Sequence, residues 1–224
     1  MTEDSTRGPE AATRDTWVAA QFTRRDGAFR FARWGRPLAP VIVGTNDEGC
    51  RIFEGGIASA ARIAGLEVAE LDPDLGANFL VFLVNDWAEL TEAPNLIRLI
   101  PNLPDLIQTL GEHGANQYRV FNFTEDGAIR LCITLLRYDD ELQKVSAQTL
   151  ALGQALQGLL LWSDKAFMEE SPIALAGDGL AVVKPVFADL LRAAYDPVLP
   201  DASSDAALAL RLAARLTVEA ADPA

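Results

Sequence analysis

"QYRVFNFTEDGAIRLCITLLR", residues 117–137, carries the clearest local pattern in the chain. Two runs rich in β-branched and aromatic residues, near 117–123 and 128–137, flank "TEDG", where Asp126 and Gly127 supply the tight turn of an antiparallel hairpin. Successive strand side chains point to opposite faces. Ile129, Leu131, Ile133 and Leu135 therefore share one face, and Arg130, Cys132 and Thr134 share the other, which is the less apolar of the two.

Toward the N-terminus, "NFLVFLV", 78–84, is uniformly apolar, the pattern of a central strand buried on both faces. "APVIVG", 39–44, is a second such run, ended by Gly44. Between them, apolar residues at 53, 57, 60, 63 and 64 recur at helical spacing, with Asn46 or Asp47 as the N-terminal cap and Gly65 as the stop. Asn85 or Asp86 can cap a short helix over "WAELTEA", and Pro101 and Pro104 bracket another around "PDLIQTLG". After the hairpin the pattern turns helical from Asp140 to Trp162. A looser region follows, and then a helix from about Pro185 to Tyr195 with Pro in its first turn.

"DPVLPDASS" breaks the chain before a last helix, "DAALALRLAARLTVEA". Ser203 or Ser204 is its cap, and Leu208, Leu212 and Leu216 form one stripe, able to dock on the domain or on a partner. At the other end, residues 1–15 are polar and charged and read as a flexible or partner-bound tail. "WVAAQF" then leads into "RRDGAFRFARWGRP", a loop or short extended stretch. No internal repeat is present. The order of elements predicts an α+β fold: a mixed sheet of about four strands including the β-hairpin, with helices packed on one side. The organisation is a tail at 1–15, one α+β domain over 16–200, and a C-terminal amphipathic helix and tail over 201–224.

The totals narrow the function classes. With 19 Lys and Arg against 32 Asp and Glu, the 224 residues carry a net charge of −13, and no basic run is dense enough to coat a phosphate backbone. Nucleic acid and anionic membranes are therefore poor partners. No apolar stretch approaches the ~18 to 20 residues of a membrane span. "MTEDSTRGPEAATRD" lacks the basic start and apolar centre of a signal peptide. The chain is then cytoplasmic or, if an export segment was removed, periplasmic or of the cell envelope. Cys50 and Cys132 lack a CxxC spacing. They read as two buried thiols, or as one bridge in an exported protein.

Several catalytic patterns are excluded. His113, in "GEHGAN", is the one histidine, so HExxH cannot occur, and it reads as a solvated loop residue. Neither GxSxG nor GxxxxGK[ST] is present. "EGG", 54–56, falls inside a helical pattern, where glycine serves close packing. Asp139, Asp140 and Glu141, and likewise Glu169 and Glu170, read as solvated faces or helix-start charges.

"TLALGQALQGLLLW", 149–162, reads by periodicity as a core helix. Its surroundings resemble DUF2927, a family of proteobacterial proteins, many of them lipoproteins. "FARWGRPLAPVIVG" is similar to the opening of that family, where an Arg-Trp pair precedes a Pro and the first strand. "NFLVFLV", the hairpin turn "EDGAI", "QALQGLLLWSD" and "FADLLRAAYDPVLP", with Tyr195, Asp196 and Pro197, follow in the family's order over roughly residues 22 to 200.

The resemblance implies a zincin-like, metallopeptidase-related scaffold whose helix opens with acidic residues, often after His, and is followed by an Asn-Asp turn. Aligned on Gln154, Ala155 and Leu156, Thr149 and Leu150 stand where a His-Glu pair would be. Gln157 is an extra residue before Gly158, and "WSD" leaves Asp164 as the retained acid. A catalytic zinc needs about three N, O or S ligands and a general base, and neutral amides such as Gln148, Gln154 and Gln157 are poor ligands.

The reading is a non-catalytic, degenerate metallopeptidase-like domain, holding no metal or cofactor. It would bind a protein partner or serve as an accessory subunit of a larger assembly, with the acidic surface, the N-terminal tail and the face of Leu208, Leu212 and Leu216 as contact candidates. The alternative is a carboxylate-based, metal-dependent hydrolase built on Asp164, Glu169, Glu170 and Asp178.

Overall fold

The structure is a computed structural model that describes residues 11–93, 95–168, 170–177 and 179–219. Its strands are Phe31–Ala32 (β1), Pro40–Val43 (β2), Phe79–Val84 (β3), Gln117–Phe123 (β4), Ile129–Arg137 (β5), Ile173–Leu175 (β6), Ala181–Val183 (β7) and Ala202–Ser203 (β8). Its α-helices are Ala11–Phe22 (α1), Asp47–Ala64 (α2), Leu96–Leu99 (α3), Leu103–Glu112 (α4), Ala147–Leu159 (α5), Pro185–Ala194 (α6) and Ala207–Glu219 (α7). Four strands form a mixed sheet in the order β2-β3-β5-β4, in which β2, β3 and β5 are parallel and β4 runs antiparallel to β5. No helix among the described residues is long and apolar enough to cross a membrane.

The hairpin forms as its turn residues predict: Gly127 has φ 86° and the Thr124 N–H donates to Ala128 O at 2.9 Å. β3 is central, bonded on both edges, and its apolar run feeds both faces. Phe79 and Val81 join Cys132 and Leu136 in the larger core, with α2, α5, α6, α1 and α7. Leu80 and Val84 join Leu131, Ile133 and Leu135 in a second core. Its lid is Trp87 and Leu90 of a 3-10 turn, Leu96 of α3, and Leu103, Leu106 and Leu110 of α4. Helices thus cover both faces of the sheet, not one side.

Cys132 and Thr134, assigned by alternation to the less apolar face, are both fully buried under the larger core. Ile129 lies in that core too, because the register shifts opposite Asn122 and Phe123 and breaks its alternation with Leu131. An extra residue in one strand of an antiparallel pair has this effect.

The predicted caps hold at two helices. Asn46 accepts from the Gly49 N–H at 2.9 Å to start α2, and Gly65 ends it at φ 69°. Asp86 and Glu89 form a capping box over Trp87–Glu92, a 3-10 segment where an α-helix is expected. Gly56 packs against α5 so closely that a Cβ there would lie 2.9 Å from the Ala151 carbonyl carbon, so the close-packing reading of "EGG" holds at Gly56 but not at Gly55, where a Cβ would meet nothing within 4 Å.

Elsewhere the boundaries move. The helix expected from Asp140 is replaced by a 3-10 turn at Leu142–Lys144, and α5 starts only after Ser146. The region read as loose contains the β6–β7 hairpin. Residues 11–15, expected in the tail, are the first turn of α1, whose Val18 and Phe22 are fully buried; residues 1–10 lie outside the described residues.

α7 packs on α1 and α6, and Leu208, Leu212 and Leu216 are buried in the main core, 3 %, 0 % and 6 % exposed. The stripe offered as a partner face is therefore closed by the domain itself, because α1 supplies the apolar surface it needs. Asp205, rather than Ser203 or Ser204, accepts from the first N–H of α7, at Ala207.

One buried carboxylate joins the starts of β2 and β3. Asp72, in the turn before β3, is 4 % exposed and accepts from the Leu75 and Asp74 N–H groups, each at 2.9 Å, from Asn78 Nδ2 at 2.9 Å and from Arg36 at 3.2 Å. Asn78 passes the connection to Ala39 N–H, its Oδ1 accepting at 2.7 Å. Burial alone raises the Asp72 pKa, but these donors outweigh it and hold the carboxyl at about 2, below its ordinary 3.8. A depressed pKa stabilises the fold above the unfolded value, and that contribution is lost as the pH falls from near 4 through 2. Asp72→Asn is expected to cost roughly 1–2 kcal/mol at pH 7, after allowance for screening, with the gap to the parent closing by pH 2. Urea unfolding at pH 7, 4 and 2 measures this, and a gap that does not change with pH would contradict it.

Candidate functional site

The helix singled out by the resemblance is α5. Ser146 starts it by accepting from the Thr149 N–H at 3.2 Å, and the Ser146 hydroxyl donates to Thr149 Oγ1 at 2.9 Å. Thr149 therefore belongs to the helix cap, and Leu150 is 7 % exposed in the main core. The two residues at the His-Glu positions reach no polar cluster.

Gln154 and Gln157, one turn apart on the face toward β4, do form a cluster. Both side-chain oxygens accept from the guanidinium of Arg119 on β4, Gln157 from Nη1 at 3.1 Å and Gln154 from Nη2. Arg119 Nε donates to Thr134 Oγ1 at 3.3 Å, and Gln154 Nε2 donates to Gln117 Oε1 at 2.9 Å. The guanidinium is thus held by three neutral oxygens, and no ion pair joins it to a carboxylate among the described residues. Burial lowers its pKa from the ordinary value, with the Cys132 thiol acting in the opposite direction. Arg nonetheless stays charged in proteins.

Burial pushes the Cys132 thiol up to about 11 against the partial opposition of Arg119, so it is a protonated, unreactive core group at neutral pH. Both cysteines are free, and no bridge joins Cys50 to Cys132.

A cavity of about 300 Å³ opens beside Arg119, walled by Arg24, Phe121, Gln157, Leu161 and Asp164. It shares Arg24, Phe121, Leu161 and Asp164 with a shallower basin of about 470 Å³ that adds Arg25, Asp26, Arg30 and Phe123, with Arg30 Nη2 3.8 Å from Asp26 Oδ2. Two of the five site residues read from the sequence, Gln157 and Asp164, therefore line one cleft, and Gln154 braces its floor. Asp164 is neutralised there: its Oδ1 lies 2.9 Å from Arg24 Nη1, and its Oδ2 accepts from the Arg25 N–H at 3.3 Å. Arg25 is exposed and, among the described residues, has no ion pair.

Of the carboxylates offered for a hydrolase, the two described ones, Asp164 and Glu170, have separate partners. Glu170 is paired with Lys184 at 2.9 Å, separately from Asp164 and Arg24, while Glu169 and Asp178 lie outside the described residues. Asp139 accepts from the Glu141 and Leu142 N–H groups and so fills its helix-start role. His113 ends α4, over the opposite sheet face, with its ring Nδ1 2.8 Å from Thr109 O. Among the described residues no group of three or more His, Cys, Asp or Glu side chains is placed to hold a metal ion.

Three of the short motifs that carry the resemblance, those of Trp34, Trp162 and Tyr195, share one structural task. An α-helix leaves its last four carbonyls without partners in the helix, and α5 has no terminal glycine to help close it. Trp34 Nε1 donates to Gly158 O at 2.8 Å, the Tyr195 hydroxyl to Leu159 O at 2.6 Å, and Trp162 Nε1 to Leu156 O at 3.1 Å. The Trp34 N–H in turn donates to the Tyr195 oxygen at 3.4 Å. Arg33 lies over the Tyr195 ring, 5.5 Å from its centroid, and its Nε is 2.8 Å from Asp201 Oδ1. Sequence reading missed Arg119 and the pair Arg24 and Arg25; the available signal was Arg119 sharing a strand face with Phe121 and Phe123.

Comparison with protein families, characterised proteins and solved structures returns no match for this chain.

Proposed function

We propose that this protein is a non-catalytic binding domain whose cleft at α5 receives an anionic part of a protein partner. The observation that carries this reading is the Arg119 guanidinium, held by Gln154 and Gln157 on the helix where the DUF2927 resemblance puts a peptidase centre. A divalent ion about 4 Å from a guanidinium meets roughly 8 kcal/mol of repulsion at an effective dielectric near 20. Neutral amides do little to offset that. The same positive charge favours a carboxylate or another anion, and Arg25 at the rim adds to it, whereas Arg24 is balanced by Asp164.

The test is elemental analysis after purification in zinc-containing buffer, together with a fluorogenic protein substrate. The expected outcome is zinc well below one equivalent and no hydrolysis above buffer. Stoichiometric zinc, or hydrolysis abolished by a chelator, would overturn the reading.

A further inference from the structure

We infer that β4 is a docking edge for an extended acidic peptide of a partner protein, whose alternate carboxylates enter the cleft of Arg24, Arg25 and Arg119. This rests on the binding reading above and names the class of partner.

β4 is the outermost strand of the sheet on its side. Among the described residues its main chain bonds only β5 and the hairpin turn. Gln117, Tyr118, Asn122 and Phe123 are exposed and Arg119, Val120 and Phe121 half-buried, the Arg119 guanidinium being the enclosed end of its side chain. Soluble proteins blunt such edges with Lys, Pro, bulges or covering segments, because unpaired N–H and C=O groups template further strands. β4 has one irregularity, at its far end, and otherwise offers a Tyr, a Val and two Phe residues.

The side chains beside the edge say what would pair there. Side chains two apart on a strand share a face, so Arg119, Phe121 and Phe123 all border the cleft, and the two phenyl rings stack at 6.3 Å. An added strand would set its own alternate residues over this ledge, about 7 Å apart. Arg25 and Arg119 have no carboxylate partner among the described residues, so acidic groups at that spacing would supply the missing charge. Main-chain pairing would give affinity and the side chains specificity, as in other strand-addition complexes.

A second copy fits less well. Two-fold pairing of β4 with itself would bring two copies of Arg25 and Arg119, the cleft arginines without a carboxylate partner among the described residues, together, on chains that each carry a net charge of −13.

The test uses the full chain and a fluorescein-labelled peptide of four Val-Glu repeats, read by anisotropy. Saturable binding is expected, weakened at least tenfold by Arg25→Glu, an exposed site where folding is not at stake, and by raising NaCl from about 50 to 300 mM. Arg62→Glu, exposed on α2, should change it less than twofold. N-methylation at alternate residues should cost at least tenfold in one of its two registers, since one register carries the ladder donors. The assignment is overturned by no binding, by binding indifferent to Arg25→Glu or to N-methylation in both registers, or by equal binding of four Val-Lys repeats. Tighter binding of a single-stranded oligonucleotide, or sedimentation showing a dimer that Arg25→Glu dissolves, would also overturn it. A zinc-free, inactive protein that ignores the peptide removes the β4 assignment and leaves the non-catalytic reading standing. Stoichiometric zinc removes that reading whatever the peptide does.

Discussion

Trp34→Ala is expected to lower the melting temperature by roughly 10–20 °C, and Trp34→Phe by about a third of that. The indole is 2 % exposed and stacks on Phe79 with ring centroids 6.1 Å apart, so its removal leaves a cavity in the main core. Trp-to-Ala changes in such places cost ~3–5 kcal/mol. The Gly158 carbonyl also loses the donor that reaches it at 2.8 Å, and an orphaned buried acceptor costs a further ~1–3 kcal/mol. Set against a typical total stability of ~5–15 kcal/mol, the alanine variant stands near the limit of folding.

The phenylalanine variant isolates the capping role, because it keeps most of the ring and loses the N–H. Hydrogen exchange should then quicken first in the last turn of α5, residues 156–159. A Trp34→Phe protein within about 0.5 kcal/mol of the parent, with that turn still protected, would show that the bond contributes nothing.

The residues of this network lie far apart in the chain, and this decides what could be read in advance. The hairpin, the two parallel strands, the Asn46 cap and the Gly65 stop are local patterns, and local patterns are written in consecutive residues. The second core was not legible in that way. Trp87, Leu90, Leu96, Ile100, Leu103, Leu106 and Leu110 form one apolar lid, but a 3-10 turn and two further segments, broken at Pro101, share it. No single segment is long enough to announce an amphipathic face. The stripe on α7 is a different case: its leucines specify an apolar contact, and nothing in them tells a neighbouring helix of the same chain from another protein. The first turn of α1 was hidden by its polar composition, although Val18 and Phe22 mark the buried side one helical step apart.

The candidate site shows the same division. Gln154 and Gln157 are legible from their place on a helix. Arg119, their shared partner, lies 35 and 38 residues away, and Arg24 meets Asp164 across 140 residues. Such pairings depend on how the sheet is ordered and how the segment after α1 folds over it, which periodicity does not encode. Trp34 and Tyr195 stand in separate short motifs, and what joins them is that the indole N–H and the phenol hydroxyl both donate to the end of α5.

The second large effect is expected at Gly44, where Gly44→Ala should cost ~2–4 kcal/mol and lower the melting temperature by roughly 4–16 °C. Two independent reasons add. The residue has φ 87°, a left-handed conformation that glycine adopts freely and alanine resists by about 1 kcal/mol. A Cβ built there would also collide with the main-chain oxygen of Leu83 on β3, and no rotamer change can move that atom away. β2 pairs with β3 through Val43 and Phe82, so Gly44 is the first residue beyond the pairing. There the chain must pass over the end of β3 to reach the Asn46 cap of α2. Relief would require the edge strand β2 to part from β3 at this end, at a typical cost of ~1–3 kcal/mol or more.

Gly55 supplies the matched control. It lies within α2, has no positive φ, and a Cβ added to it meets nothing within 4 Å. Gly55→Ala should therefore raise stability by ~0.5–1 kcal/mol through helix propensity alone. Thermal melts of the two variants beside the parent should move in opposite directions. A Gly44→Ala protein that melts with the parent would mean that the crossing from β2 to α2 is looser than the contact with Leu83 requires.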